Sequence, residues 1–238
     1  MKKTIGIIVI LVSLVGGIYY SFKIITWKKH VEENSAIQTK IEEEIVIINP
    51  SEDEETKYEI DFGKLKEMNN DTVAYLKVNN TDINYAVVQS KNNDYYLKHN
   101  FDKKWNTAGW IFADYRVKFD GNDKNIVIYG HSMKDNSMFG TLKNILNDSK
   151  SDHEIMLATK DETYYYEVFS SYSINPEEYY LKTNFKDNEF ETFINKIKSR
   201  SKYNYDVEVN SNDKILTLST CTSNGKNRVV IHAKLITQ

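Results

Sequence analysis

A single cysteine, Cys221, closes the run Lys214-Ile-Leu-Thr-Leu-Ser-Thr-Cys221, and seven residues later Arg228 stands near the start of Asn227-Arg-Val-Val-Ile-His-Ala-Lys-Leu235. The alternating character of both runs reads as two strands. A thiol at the exit of one strand and a guanidinium at the start of the next read as a placed nucleophile with a cationic neighbour. The thiolate is the attacking form of such a group, and the planar, always charged arginine can donate to a carbonyl oxygen or an oxyanion. Such a site also needs a proton donor, and the chain has His30, His99, His131, His153 and His232. His131 stands out because Ile126-Val-Ile-Tyr129 reads as a buried strand and Gly130-His131-Ser132 begins the loop leaving it, where rigid scaffolds present reactive groups. His232 lies inside the last strand and reads as structural. His30 precedes the folded domain, and nothing around His99 or His153 points to chemistry.

Each residue also has a plainer alternative. An unmatched cysteine in an exported protein is either an inert buried side chain or a reactive thiol. Arg228 is either half of a surface ion pair or an oxyanion donor, although its type is informative in a chain whose 31 basic residues include only Arg116, Arg200 and Arg228 as arginines. No pair of histidines has metal-ligand spacing, and one cysteine cannot build a thiolate zinc cage, so neither a metal nor a cofactor is expected.

The elements that must carry these groups begin at the membrane. Residues 4–22 hold no charge, and nineteen helical residues at about 1.5 Å each span roughly 28 Å, close to a hydrocarbon core. The run is long for a cleavable signal and no small-x-small site follows it. The organisation expected is therefore a cytoplasmic tail at 1–3, an uncleaved anchor at 4–22, an acidic stalk at 23–59 that is partly helical around 31–48, and an extracytoplasmic domain at 60–238. Lysines flank the anchor on both sides, so charge does not orient it; a short tail before one anchor leaves the large domain outside. Residues 32–59 carry ten acidic residues against Lys40 and Lys57, whereas residues 1–31 carry five lysines; with a net charge of −3 for the chain, residues 60–238 are formally neutral. No basic stripe remains to neutralise phosphates, which excludes nucleic acid as a partner.

Within the domain the period is mostly two. Strands are expected at 73–78, 83–89, 110–113, 125–129, 155–158, 164–174, 215–221 and 228–236. A short helix is expected behind the capping Asp61 through Met68. A second should carry Met138, Phe139, Leu142, Ile145 and Leu146 on one face, and the longest should run over 187–199 with Phe190, Phe193, Ile194 and Ile197 at i, i+3, i+4 and i+7. Many strands with few long helices favour a closed or nearly closed barrel with helical insertions.

Thr217-Leu-Ser-Thr-Cys221, with Arg228 beyond it and Tyr129-Gly-His131 before it, resembles the active-site signature of the sortases. Thr81-Asp-Ile-Asn-Tyr85-Ala-Val-Val-Gln89, Asn93-Asp-Tyr-Tyr-Leu97 and Gly109-Trp-Ile-Phe-Ala-Asp114, together with the helix inserted before the final two strands, resemble the class B members in particular, over roughly residues 60–238. The resemblance implies a mainly β fold: an eight-stranded sortase-type barrel with N-terminal helices, held outside a Gram-positive cell membrane by a single pass. It implies that Cys221 attacks the threonine carbonyl of an Asn-Pro-x-Thr type sorting signal at the C-terminus of a surface protein. An amine of peptidoglycan or of its lipid-linked precursor then resolves the thioacyl enzyme. In that scheme His131 favours the thiolate and protonates the leaving amine, and Arg228 binds the oxyanion. Ser219 and Thr220 line the groove, while Tyr180 and Leu181 contact substrate or simply pack. Thr222 departs from those class B members that carry aspartate after the cysteine, which removes an Asp-assisted mechanism at that position. The rival readings are a secreted thiol peptidase, which would release an acid even with a good amine present, and a membrane-tethered binding module with an inert cysteine.

Overall fold

The structure, a computed structural model, describes residues 2–49, 57–149, 153–186, 188–221 and 227–237, without the side chains of 2, 3, 46–49, 57, 221 and 237. The charge-free run forms a helix, but the helix does not stop where the apolar residues do. It continues as α1 (Lys2–Glu44), 43 residues long. Its first part is apolar enough to cross a membrane and is not buried against the protein. Its second part departs from the solvated stalk that composition suggests. His30, Asn34, Gln38, Ile41 and Ile45 repeat at three to four residues and are all buried against the barrel, while Glu32, Glu42, Glu43 and Glu44 stay exposed. Ten acidic residues in a short segment hide this face from a charge count, because the i, i+4 stripe is set by only five side chains. The helix also ends before the expected 48: the β-branched residues Val46-Ile-Ile48 favour an extended backbone, and β1 (Val46–Asn49) pairs antiparallel with β2 (Lys57–Ile60) as a small separate sheet. The stalk residues 50–56 lie outside the described residues.

Asp61 caps α2 (Phe62–Met68), its carboxylate accepting from Lys64 N at 3.0 Å. Then come β3 (Thr72–Val78), β4 (Asn84–Val88), β5 (Phe112–Ala113), β6 (Asn125–His131), α3 (Leu142–Leu146), β7 (Glu154–Ala158), β8 (Thr163–Ile174), α4 (Glu189–Ser199), β9 (Ile215–Cys221) and β10 (Arg228–Thr237). The eight strands from β3 on close into a barrel in the order β10-β8-β7-β3-β4-β5-β6-β9. Closure pairs every strand on both edges and leaves no open template for aggregation. Buried Leu76, Ile128, Leu157, Val168, Leu218 and Ile231 belong to one continuous core.

Two elements are shorter than their apolar patterns. The helix expected to include Met138 begins only at Leu142, since Asn136 and Met138 have φ of 69° and 53°, a left-handed backbone that cannot continue a right-handed helix. The strand expected at 110–113 is reduced to Phe112–Ala113: Trp110 N bonds instead to Tyr96 O at 3.0 Å, and the indole N–H donates to Ala86 O at 2.8 Å. By contrast α4 buries Phe190, Phe193, Ile194 and Ile197 as its spacing requires, each such side chain contributing about 1.5–3 kcal/mol on burial. Asp187, the expected first residue of that helix, lies outside the described residues.

Candidate active site

The chain leaves β6, builds α3, β7, β8 and α4, and returns as β9 beside β6 in the same direction. Parallel neighbours require such a long crossover. Seven consecutive residue pairs define the register, from Asn125 opposite Ile215 to His131 opposite Cys221. Both strands therefore end level, with backbones about 4.8 Å apart. On the other side of β9, β10 runs antiparallel, and its last described pair there is Val230 with Ser219. Cys221 and Arg228 each stand two residues beyond that pair, so three separate strands bring Cys221, His131 and Arg228 to one rim of the barrel. The Cys221 thiol and all of Thr222 lie outside the described residues.

His131 is half-buried. Its Nε2 lies 2.8 Å from Leu97 O, and since a carbonyl only accepts, Nε2 carries the hydrogen. Nδ1 is then the nitrogen left to exchange a proton. Leu97 belongs to a single 3-10 turn, Tyr95–Leu97, inside the motif Asn93-Asp-Tyr-Tyr-Leu97. The preceding Gly130 is required by close approach: a Cβ there would lie 2.5 Å from Ile111 Cδ1 and 2.7 Å from Phe139 Cγ. Phe139 N in turn donates to His131 O at 2.9 Å, tying the loop after β6 to the strand end.

Ser219 and Thr220 are buried. The Ser219 hydroxyl lies 3.2 Å from that of Tyr180, and Thr220 Oγ1 accepts from Val229 N at 3.3 Å. Tyr180 is buried in the 3-10 turn Tyr179–Leu181 and meets the Tyr172 ring edge-on. Leu181 is half-buried beside it, and its carbonyl accepts from Arg116 Nη2 at 2.8 Å. Ser219 and Tyr180 thus touch directly, and Leu181 is held through its main chain.

That last contact leads to a group the sequence reading passed over. Asp114 is fully buried. Arg116 grips it with Nε to Oδ1 at 2.8 Å and Nη2 to Oδ2 at 2.7 Å, Arg116 N adds a 2.9 Å bond to Oδ1, Tyr129 Oη donates to Oδ2 at 2.7 Å, and Asn93 Nδ2 donates to it at 2.9 Å. Burial by itself would raise the carboxyl pKa, but the donors from Arg116 and Tyr129 outweigh it and hold Asp114 below the usual carboxylate range. Tyr129 is driven up, first by burial and then by the negative Asp114. One ionised carboxylate therefore joins β6, two residues before His131, to the segment before Leu97 and to Leu181. The signal was present as Asp114-Tyr-Arg116 directly after a short apolar strand, in a chain sparing with arginine; spacing alone did not say what else would converge there.

His232 is fully buried between two hydroxyls, with Nδ1 2.9 Å from Thr217 Oγ1 and Nε2 2.8 Å from Tyr172 Oη. Burial, assisted by the Arg200 charge, depresses its pKa to about 3, so it stays neutral and packs the base of β9 and β10. Among the described residues no group of three or more His, Cys, Asp or Glu is arranged to hold a metal ion.

A family profile described as a sortase domain matches residues 76–236. A protein named Sortase B from Listeria monocytogenes is 41% identical over 180 residues, covering 73% of this chain and 73% of that protein. The Sortase B of Staphylococcus aureus is 31% identical over 242 aligned positions, covering 99% and 98% respectively. Among solved structures, the crystal structure of sortase B from B. anthracis in complex with AAEK1 superposes with a TM-score of 0.74 at 33% identity, over 90% of this chain and 100% of that one.

Proposed function

From the premise that the chain belongs to the sortase family, and within it to class B, whose members are cysteine transpeptidases, we propose that Cys221 is its nucleophile, His131 its acid and Arg228 its oxyanion donor. The register of β6 against β9, which makes His131 and Cys221 cross-strand partners, is the observation that supports this assignment most. In the proposed cycle the Cys221 thiolate attacks the threonine carbonyl of an Asn-Pro-x-Thr sorting signal. Arg228 donates to the oxygen as it gains charge. His131 Nδ1 gives its proton to the departing amine, and the C–N bond breaks to leave a thioester on Cys221. The thioester keeps much of the free energy of the peptide bond, so a cell-wall amine completes the transfer without ATP, giving up one proton to His131 and releasing Cys221 as the thiolate with which the cycle began.

Ser219, Thr220, Tyr180 and Leu181 form the wall of the signal-binding groove in this reading, with the Asp114 cluster behind them as a positioning group. Residues 1–3 form the cytoplasmic tail, 4–22 the single membrane pass and 60–238 the extracytoplasmic catalytic domain. Surface proteins bearing the signal and a peptidoglycan or lipid-linked amine are the two substrates.

The test incubates the solubilised full chain with an Asn-Pro-x-Thr peptide, with and without a peptide amine, and weighs both protein and products. An adduct mapped to Cys221, the mass of the acyl fragment ending in threonine, and an amide product in the second tube are expected. An adduct elsewhere, or cleavage at another bond, overturns the assignment; hydrolysis in both tubes points to a thiol peptidase acting on this signal.

A further inference from the structure

The membrane helix and the loop that supports His131 are joined by side-chain hydrogen bonds. On α1, His30 Nδ1 lies 3.0 Å from Thr107 Oγ1 and accepts from Thr107 N at 3.1 Å. Asn106 Nδ2 donates to His30 O at 2.9 Å and to Asn34 Oδ1 at 3.0 Å, and Asn34 Nδ2 donates to Gly109 O at 3.0 Å. Later turns of α1 meet parts of the barrel farther from the anchor, Gln38 and Glu42 both reaching Asn84. The 98–107 loop is thus the part of the barrel that α1 reaches first after the apolar segment. Exposed apolar residues of α1 run as far as Ile25. His30 is five residues beyond Ile25 and eight beyond Phe22, or about 8–12 Å along the helix axis. The headgroup layer on one side of a bilayer is roughly 5–8 Å deep, so an untilted α1 sets His30 and the loop bonded to it between the outer edge of that layer and about 7 Å above it, a gap that tilt toward the loop's side closes.

The loop presents the side chains that suit that depth. Trp105 is 57% exposed, and beyond Ile25 it shares this exposure among large hydrophobic side chains only with Tyr115 and Ile236 in the described residues. A backbone bridge between His99 and Trp105 and the 2.9 Å bond from Asn100 N to Lys104 O hold the loop in shape. Lys98 Nζ lies 5.7 Å from the Trp105 ring centre. Lys103 and Lys104 flank it, paired in part with Asp71 and Asp102. On α1 itself Lys28 and Lys29 lie just below His30, with Glu32 and Glu33 above it. Trp at the headgroup level and lysines toward anionic phosphates are the combination that anchors a protein at a bilayer surface.

We propose that the 98–107 loop is a second membrane contact, with Trp105 seated among the headgroups of an anionic phospholipid surface. The proposal rests on the reading of α1 as a membrane anchor. The proposed contact lies next to the rim in sequence: Lys98 directly follows Leu97, whose carbonyl holds the His131 ring.

The experiment reconstitutes the full chain into vesicles of phosphatidylcholine and phosphatidylglycerol whose acyl chains carry bromine close to the headgroup. Fluorescence quenching is then compared in Trp27→Phe and in Trp27→Phe/Trp105→Phe, both of which keep the buried Trp110. Most of the quenching in the first variant should be lost in the second, and replacing phosphatidylglycerol by phosphatidylcholine should weaken it. Equal quenching in the two variants, in protein that floats with the vesicles, overturns the loop contact and leaves the anchor standing. Protein that does not float with the vesicles overturns the anchor, and the loop contact with it.

Discussion

Asp114 and His131 are close neighbours in the barrel, linked through Tyr129 on β6, yet they are held in opposite ways. Asp114 is fully buried and accepts five hydrogen bonds from Arg116, Tyr129 and Asn93. His131 is half-buried, and its ring leans on a main-chain carbonyl. Saturated hydrogen bonding suits a group that must keep both its charge and its position, because a buried carboxylate without donors would take up a proton. A group that must gain and lose a proton needs one nitrogen fixed and the other left to change state. The pair shows a contrast among the described residues: hydrogen bonding is concentrated on Asp114 behind the rim, while strand register sets the backbone of His131 opposite that of Cys221.

Substitution at the rim should separate the two regions most sharply. Cys221→Ala should abolish the acyl adduct and the transfer while leaving the urea midpoint unchanged, as judged by intact mass and by circular dichroism; residual transfer would remove Cys221 from the chemistry. Arg228→Lys should follow, with a fall of about 10²–10³ in kcat, since an ammonium does not reproduce the guanidinium geometry. An unchanged rate there would return Arg228 to the surface ion pair its sequence context also allows.

Behind the rim the expected loss is of stability as well as rate. Asp114→Asn strips the charge from a buried pair. Breaking such a pair costs about 3–5 kcal/mol, and Arg116, whose side chain is 36% exposed, can partly rehydrate, which places the cost at about 3 kcal/mol in urea unfolding. Transfer should weaken too, because Leu181 and the segment before Leu97 lose their common support; wild-type stability with reduced transfer would instead put Asp114 among the substrate contacts.

The most gradual effect should appear in pH dependence. His232 has a folded pKa of about 3 against 6.5 when free, so between those values the unfolded chain binds the extra proton. Stability is then fully present above pH 6.5 and falls as pH drops towards 3, by up to about 1.4 kcal/mol per pH unit. Asp114 acts in the same direction at lower pH, because its depressed pKa makes stability fall further once the unfolded carboxyl begins to protonate. A thermal midpoint that stays flat from pH 6.5 to 4 would show that the His232 site opens to water.

How much of this was readable without coordinates differs from element to element. The strands near 73–78, 155–158, 164–174, 215–221 and 228–236, and the apolar face of α4, followed from periodicity, since each has one buried face and period two or 3.6 reports it directly. The helix expected to include Met138 starts later, because Asn136 and Met138 have a left-handed backbone, which side-chain periodicity does not report. Leu97 acts through its carbonyl, which every residue type has, and so leaves no trace in side-chain pattern. The docked face of α1 was masked by the acidic residues beside it.

From residue types alone come the chemistry and its vocabulary: a lone thiol at a strand end, an imidazole in a strand-exit loop, an arginine in a lysine-rich chain and an apolar run of membrane length. Only the closed barrel decided that β6 and β9 lie side by side in parallel, setting the backbones of His131 and Cys221 opposite each other, ninety positions apart, and that among the described residues Asp114 gathers five donors. The reason is physical. Periodicity is a property of neighbours along the chain, whereas register and convergent hydrogen bonding depend on which distant strands the burial of the whole core makes adjacent.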